Sequence, residues 1–148
     1  MKPLPDYVAA WRRLAVKERV GLGALVGSRG DEFAAALAAA SLAVPADASV
    51  SEREVNDRLV AWLAGPGAML STDHVELRRW LVDLGFVERD GYGRAYRRRA
   101  PPPPAYRDVA EAIGRIDAGA VADQARQELA RLRAERRARH EARAGGRR

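Results

Sequence analysis

"HVELRRWLVDLGFVERDGYGRAYRRR", residues 74–99, passes from a helical pattern through a glycine into a hairpin pattern that ends on arginines. Leu77, Leu81 and Leu84 recur at helical spacing, and Gly85 supplies the stop. "FVERD" and "RAYRR" are β-capable runs on either side of the glycine-bounded tip "GYG", which reads as a hairpin. Ser71, Thr72 or Asp73 can cap the helix.

The segments before this stretch are also helical. "SEREVNDRLVAWLAG", residues 51–65, has Ser51 as a cap, Glu54 three residues later as in a capping box, and Val55, Leu59, Trp62 and Leu63 on one face. Gly65 and Pro66 end it. "DEFAAALAAASL", residues 31–42, opens with acids suited to a helix N-terminus and carries Phe33, Leu37 and Leu42 among alanines. "VPADASV" breaks that helix and has room for a short extended piece. Helix, helix, helix and hairpin in this order is the winged-helix plan. Further out, "YVAAWRRLAVKERV" places Tyr7, Trp11, Leu14 and Ala15 at helical spacing, and "GLG" at 21–23 is a stop or kink. "PPPP" at 101–104 is a stiff spacer. From Tyr106 or Asp108 onward, Val109, Ile113, Ile116 and Ala120, then Leu129 and Leu132, mark a long helix whose last part loses its apolar face and should fray.

The expected fold is therefore mainly α with an α+β winged-helix core. A helical N-terminal arm (1–30) precedes a winged-helix-like domain (31–99), and a proline-rich linker (100–105) leads to a long C-terminal helix with a basic tail (106–148). The 148 residues, 47% of them hydrophobic, suffice for one core with appendages. The absence of cysteine removes disulfides, thiolate metal sites and cysteine nucleophiles, and two histidines are too few for a histidine-rich metal site. No metal or cofactor is expected. The longest apolar run, Phe33 to Val44, is too short to span a bilayer, and the N-terminus has no signal-peptide pattern, so a cytoplasmic protein with no membrane partner is expected.

Residues 51–98 resemble the prokaryotic family known as domain of unknown function 2087. The resemblance rests on "EREVNDRL" (52–59), "DHVELRRWLVDLGFVERD" (73–90) and the closing "AYRR" (95–98). Arg97 stands where the family pattern has tryptophan, and "AGPGAML" lengthens the connection between the helices. The resemblance implies a winged-helix-like domain of the kind often joined to an ArsR-type helix-turn-helix in proteins labelled transcriptional regulators. It implies no activity of its own.

Charge decides how such a fold could meet nucleic acid. The formal net charge is +6, but residues 1–125 hold 17 basic and 17 acidic side chains, so the excess lies in 126–148, with nine arginines against three glutamates. Residues 71–85 carry two positive and three negative side chains, a poor charge for groove insertion. The hairpin, 86–99, carries five arginines against two acids. The candidate nucleic-acid contacts are thus Arg78 and Arg79 on the helix, Arg94, Arg97, Arg98 and Arg99 on the hairpin, and Arg136, Arg137 and Arg139 on the tail. The competing readings are a row of arginines that guards a strand edge and a solvated tail.

Three functions follow. The first is a nucleic-acid-associated bacterial regulatory or accessory protein, a DNA-binding transcriptional regulator of winged-helix type, with DNA ahead of RNA as the partner. The second is an interaction module that docks onto a larger assembly such as RNA polymerase or the ribosome, with a protein partner or second copy held through the 106–132 helix. The third, a small enzyme centred on Asp73, His74 and Arg78, ranks last. Adjacent helical residues do not face each other, so no catalytic residue is expected.

Overall fold

Four helices begin on a side chain that accepts a free backbone amide in the computed structural model, which describes residues 4–146. Asp6 accepts from Ala9 N at 2.9 Å and starts α1 (Tyr7–Ala15). After α2 (Leu22–Ser28), α3 (Gly30–Ser41) and the two-residue strand β1 (Val50–Ser51), the Ser51 hydroxyl accepts from Glu54 N at 3.1 Å and starts α4 (Glu52–Ala64). Asp73 accepts from Glu76 N at 2.8 Å and starts α5 (His74–Asp83). Strands β2 (Val87–Arg89) and β3 (Ala95–Arg98) follow, then a single 3₁₀ turn at Pro104–Tyr106 and α6 (Arg107–Gly114). Asp117 accepts from Ala120 N at 3.0 Å and starts α7 (Ala118–Gly145). Each such cap contributes about 1 kcal/mol.

The run α3, β1, α4, α5, β2, β3 forms the α+β unit. Its three strands lie antiparallel in the order β1-β3-β2, with Val50 opposite Tyr96 on one side of β3 and Glu88 opposite Arg97 on the other. Tyr96, on the central strand, is buried against the helices. Leu77 and Leu81 of α5 and Val55 and Leu59 of α4 are fully enclosed, each worth about 1.5–3 kcal/mol of apolar burial. The alanines of α3 are buried on nearly every side, so its neighbours approach closely from several directions. The layout is mainly helical with a small antiparallel sheet, as expected, and is compatible with a winged helix.

The flanking segments pack onto this unit. Trp11 of α1 is fully buried, stacks on Trp62 of α4 with centroids 6.2 Å apart, and donates its indole N–H to Ala118 O at 2.9 Å. One face of α1, Ala10, Trp11, Leu14 and Ala15, is therefore part of the core. Residues 1–3 of the segment expected as an N-terminal arm lie outside the described residues. Residues 22–28, where the glycines predict only a break, form α2 and bury Leu22 and Leu25. Burial of those two leucines outweighs the poor helix propensity of Gly23 and Gly27. The Glu32 carboxylate at the start of α3 is buried and faces Lys17 Nζ at 2.7 Å and Arg29 Nε at 3.7 Å, which binds α3 to the connection after α1.

The stretch that the spacing predicts as one helix from residue 106 is two. Gly114 ends α6 and Asp117 caps a new start, so Val109 and Ile113 fill the core from α6 while Ala118, Ala122 and Ala125 do so from α7. The proline run between β3 and α6 is packed: a Cβ on Gly85, which has φ +83°, would lie 2.7 Å from Pro103. Beyond Leu132 the loss of the apolar face predicts fraying, yet α7 continues to Gly145. Alanine and arginine are strong helix formers, and Glu135 stands four residues before Arg139. Arg147 and Arg148 of the basic tail lie outside the described residues. No helix among the described residues is long and apolar enough to cross a membrane.

Candidate nucleic-acid interface

Helix α5 occupies the recognition position of the plan, and its first turn fixes what it can present. Asp73 is spent on the cap, and Leu77 and Leu81 face inward. The outer face shows Val75, Glu76, Arg79 and Asp83. One arginine beside two carboxylates is a poor surface for major-groove insertion. Arg78 turns the other way: its guanidinium donates to Asn56 Oδ1, pairs with Glu52 Oε1 at 3.2 Å and lies 5.5 Å from the centre of the Tyr96 ring. Its side chain is 18% exposed. Arg78 thus joins α4, α5 and β3 through Glu52, Asn56 and the Tyr96 ring.

The hairpin tip is built on Asp90. Its carboxylate accepts the amides of Arg94 at 2.8 Å and Tyr92 at 3.2 Å, and Gly93 takes the left-handed conformation (φ +67°) that closes the turn. These amides, the Arg94 N–H foremost, hold the Asp90 carboxyl below the ordinary carboxylate range. At the tip, Tyr92 is 84% exposed and the Arg94 guanidinium lies 5.8 Å from its ring centre. Sequence reading passes over Tyr92 because "GYG" signals a turn; its value lies in exposure, which composition does not reveal. A bare aromatic beside an arginine is a surface on which a base can stack. Arg89 and Arg79 line one shallow crevice with Arg78 between α5 and the hairpin.

The remaining hairpin arginines are less free. Arg97 pairs with Glu88 at 3.3 Å across the β2–β3 register, and Arg99 approaches the same carboxylate at 3.8 Å. Arg98 donates from Nε to Val44 O at 3.0 Å, which ties β3 to the start of the loop between α3 and β1. Arg97, Arg98 and Arg99 come together with Arg107 around Pro101 and Pro102, on a crevice separate from the one that Arg79 and Arg89 line.

The third basic surface is the outer half of α7. Arg126 anchors the helix by donating to Ala15 O at 2.9 Å, Gly65 O at 3.2 Å and Pro66 O at 3.0 Å, carbonyls at the C-terminal ends of α1 and α4 where positive charge is favoured. Arg12 adds an ion pair with Glu128 at 3.0 Å. From Arg131 to Gly145 every residue is exposed, a free rod of about 22 Å at 1.5 Å per residue. Arg133, Arg136, His140 and Arg143 share one face of it, with Arg137 and Arg139 at the flanks and Ala134, Ala138, Ala142 and Arg131 opposite. Arg136, Arg137 and Arg139 are all exposed on this segment, the last two on opposite flanks.

The remaining candidate grouping, Asp73, His74 and Arg78, is divided among local tasks: the cap, the first helical turn and the Glu52 pair. Among the described residues, no three His, Asp or Glu side chains are grouped so as to hold a metal ion.

Residues 28–98 match the model of a family described as "Uncharacterized protein conserved in bacteria (DUF2087)". The match runs from the last residue of α2 through β3, so it takes in the whole α+β unit and leaves α1, α6 and α7 outside. No curated protein and no solved structure matches the chain.

Proposed function

We propose that this protein, with its DUF2087 segment as a rigid core, is a nucleic-acid-associated bacterial regulatory or accessory protein that grips duplex DNA mainly through phosphates. The observation that carries this reading is the free half of α7, a helical rod with six arginines against two glutamates over residues 131–145, exposed on all sides. A rod of that charge attracts polyanions and gives binding that falls steeply with salt. The wing tip, with Tyr92, Arg94 and Arg89, supplies a second contact beside Arg79. The charge of α5 argues for docking by shape and phosphates instead of base reading by that helix.

The testing experiment is fluorescence anisotropy with random duplex DNA and with structured RNA across salt concentrations, on the full chain and on a chain ending at Ala130. The full chain should bind duplex, and the slope of log K against log salt should flatten by about three to four on truncation, since each phosphate that arginine neutralises adds about 0.9 to that slope. Equal slopes would remove α7 from the interface. A second reading, docking onto a larger protein assembly, is favoured by Leu132, which is 44% exposed among those arginines. It expects a stoichiometric protein complex that survives high salt.

A further inference from the structure

The crevice bounded by β3, the proline run and α6 has a charge that its own fold does not balance. Arg97, Arg98, Arg99 and Arg107 line a cavity of about 320 Å³ together with Glu88, so four guanidinium groups face one carboxylate. That carboxylate is already shared between Arg97 and Arg99. Among the described residues, the guanidinium groups of Arg98 and Arg107 each donate through Nε alone, to Val44 O at 3.0 Å and to Pro102 O at 3.4 Å. Fixing a guanidinium by its Nε–H leaves its terminal N–H donors available in a set direction. Like charges held this close repel one another, and the repulsion ends when a multivalent anion enters between them.

An adjoining crevice of about 540 Å³ shares Arg98, Arg99, Pro101, Pro102 and Arg107 with the first and is otherwise walled by apolar groups apart from Ser41 and Glu111, whose carboxylate pairs with Arg115. Leu42, 42% exposed, and Ala38 from α3 and Ala110 from α6 line it, with Phe86 at its base. The wall is rigid: Pro103 abuts Gly85, and the Phe86 ring lies 4.8 Å from that of Tyr106. A basic chamber opening beside an apolar one, both within the size range of small-ligand sites, suits a molecule with an anionic head and a flat apolar body.

We propose that this crevice binds a small phosphate monoester of the mononucleotide class, its phosphate among Arg97, Arg98, Arg99 and Arg107 and its planar body along Leu42 and Pro101–Pro102. The site is independent of the α7 surface, so it stands or falls apart from the nucleic-acid reading.

The test is isothermal titration calorimetry of the full chain with adenosine monophosphate and, separately, inorganic phosphate. Adenosine monophosphate should bind at one site, roughly tenfold more tightly than phosphate, because the apolar wall adds about 1.4 kcal/mol. Arg107→Gln, at an exposed position that leaves the core untouched, should weaken binding about tenfold by removing a charge-assisted hydrogen bond. Arg97→Gln should do the same, and Arg137→Gln, an equal charge change on α7, should leave the affinity unaltered. The proposal fails if neither probe saturates, if phosphate binds as tightly as the nucleotide, or if Arg137→Gln weakens binding as much as Arg107→Gln. A short DNA duplex that displaces the nucleotide in one-to-one competition would also overturn it, assigning the arginines to nucleic acid.

Discussion

The indole N–H of Trp11 donates to the carbonyl oxygen of Ala118 across 2.9 Å, so that α1, at one end of the chain, holds the first turn of α7, at the other. The bond is buried, and the Trp11 ring also stacks on Trp62. Trp11→Phe keeps most of the apolar packing and removes the indole donor from the Ala118 carbonyl, which keeps its bond in the α7 ladder. A destabilisation of about 1–2 kcal/mol is expected. Trp11→Ala, which opens a cavity as well, should cost about 3–5 kcal/mol. Urea unfolding followed by circular dichroism measures both, and a Trp11→Phe variant as stable as the parent protein would show that the hydrogen bond contributes nothing.

Much of the α+β unit was legible because its local signals agree with its packing. Ser51, Asp73 and the stripe Leu77–Leu81 serve in the structure as their spacing foretold. The flanks were harder to read. Nothing local marks Trp11 as a partner of Ala118, 107 residues away. Helix α2 forms against its glycine content because Leu22 and Leu25 are buried by tertiary contacts. The division at residues 115–117 lay hidden because Val109, Ile113 and Ile116 keep an apolar spacing across the break.

Arg126 satisfies carbonyls from two helix ends with one planar group. Lysine offers a single point charge and cannot reach Ala15 O, Gly65 O and Pro66 O in the same geometry. Arg126→Lys should therefore destabilise by about 1–2 kcal/mol and Arg126→Met by about 2–3 kcal/mol, with the two C-terminal ends left partly unsatisfied. Thermal denaturation gives the ranking. A lysine variant as stable as the parent protein would mean that charge alone, and not the guanidinium fork, holds α7 in place.

Asp90 makes the hairpin tip sensitive to acid. Its carboxyl is held below the ordinary range by the amides it accepts, Arg94 N–H first, so the folded tip favours the ionised form. The stabilising effect is complete above the ordinary carboxylate pKa of about 3.9 and is lost as pH falls through the lowered folded value. At neutral pH the tip should be insensitive to pH. The Arg94 amide resonance, followed by NMR as acid is added, should move with a midpoint below that of an unstructured aspartate. Asp90→Asn should abolish that titration, and a midpoint at or above the ordinary value would contradict the hydrogen bonding at the tip.

The candidate arginines were legible as charges but not as roles, because a sequence shows which side chains are basic and not which carbonyls or carboxylates they meet. Arg78 and Arg98 look the same as Arg79 and Arg94 in the sequence, yet the first two are engaged with Glu52, Asn56 and Val44 and the last two are exposed. Two classes of variant should separate. Arg78→Ala leaves Glu52 and Asn56 without their partner and uncovers one face of Tyr96. It should lower stability by about 1–2 kcal/mol, a shift of roughly 3–6 °C in Tm for a chain of this size. Arg98→Ala should act in the same direction, since Val44 O is left without its donor. Arg79→Ala, Arg89→Ala and Arg94→Ala should leave Tm within about 1 °C, as exposed substitutions do. Under the proposed function, these three should instead flatten the salt dependence of duplex binding, by about 0.9 in slope each. Tyr92→Ala should weaken binding with little change in slope, because stacking releases no counterions. Paired measurements of Tm and of affinity at two salt concentrations on these six variants test the division. If Arg94→Ala and Tyr92→Ala leave both unchanged, the hairpin is not part of the interface, and the basic face of α7 alone carries the reading.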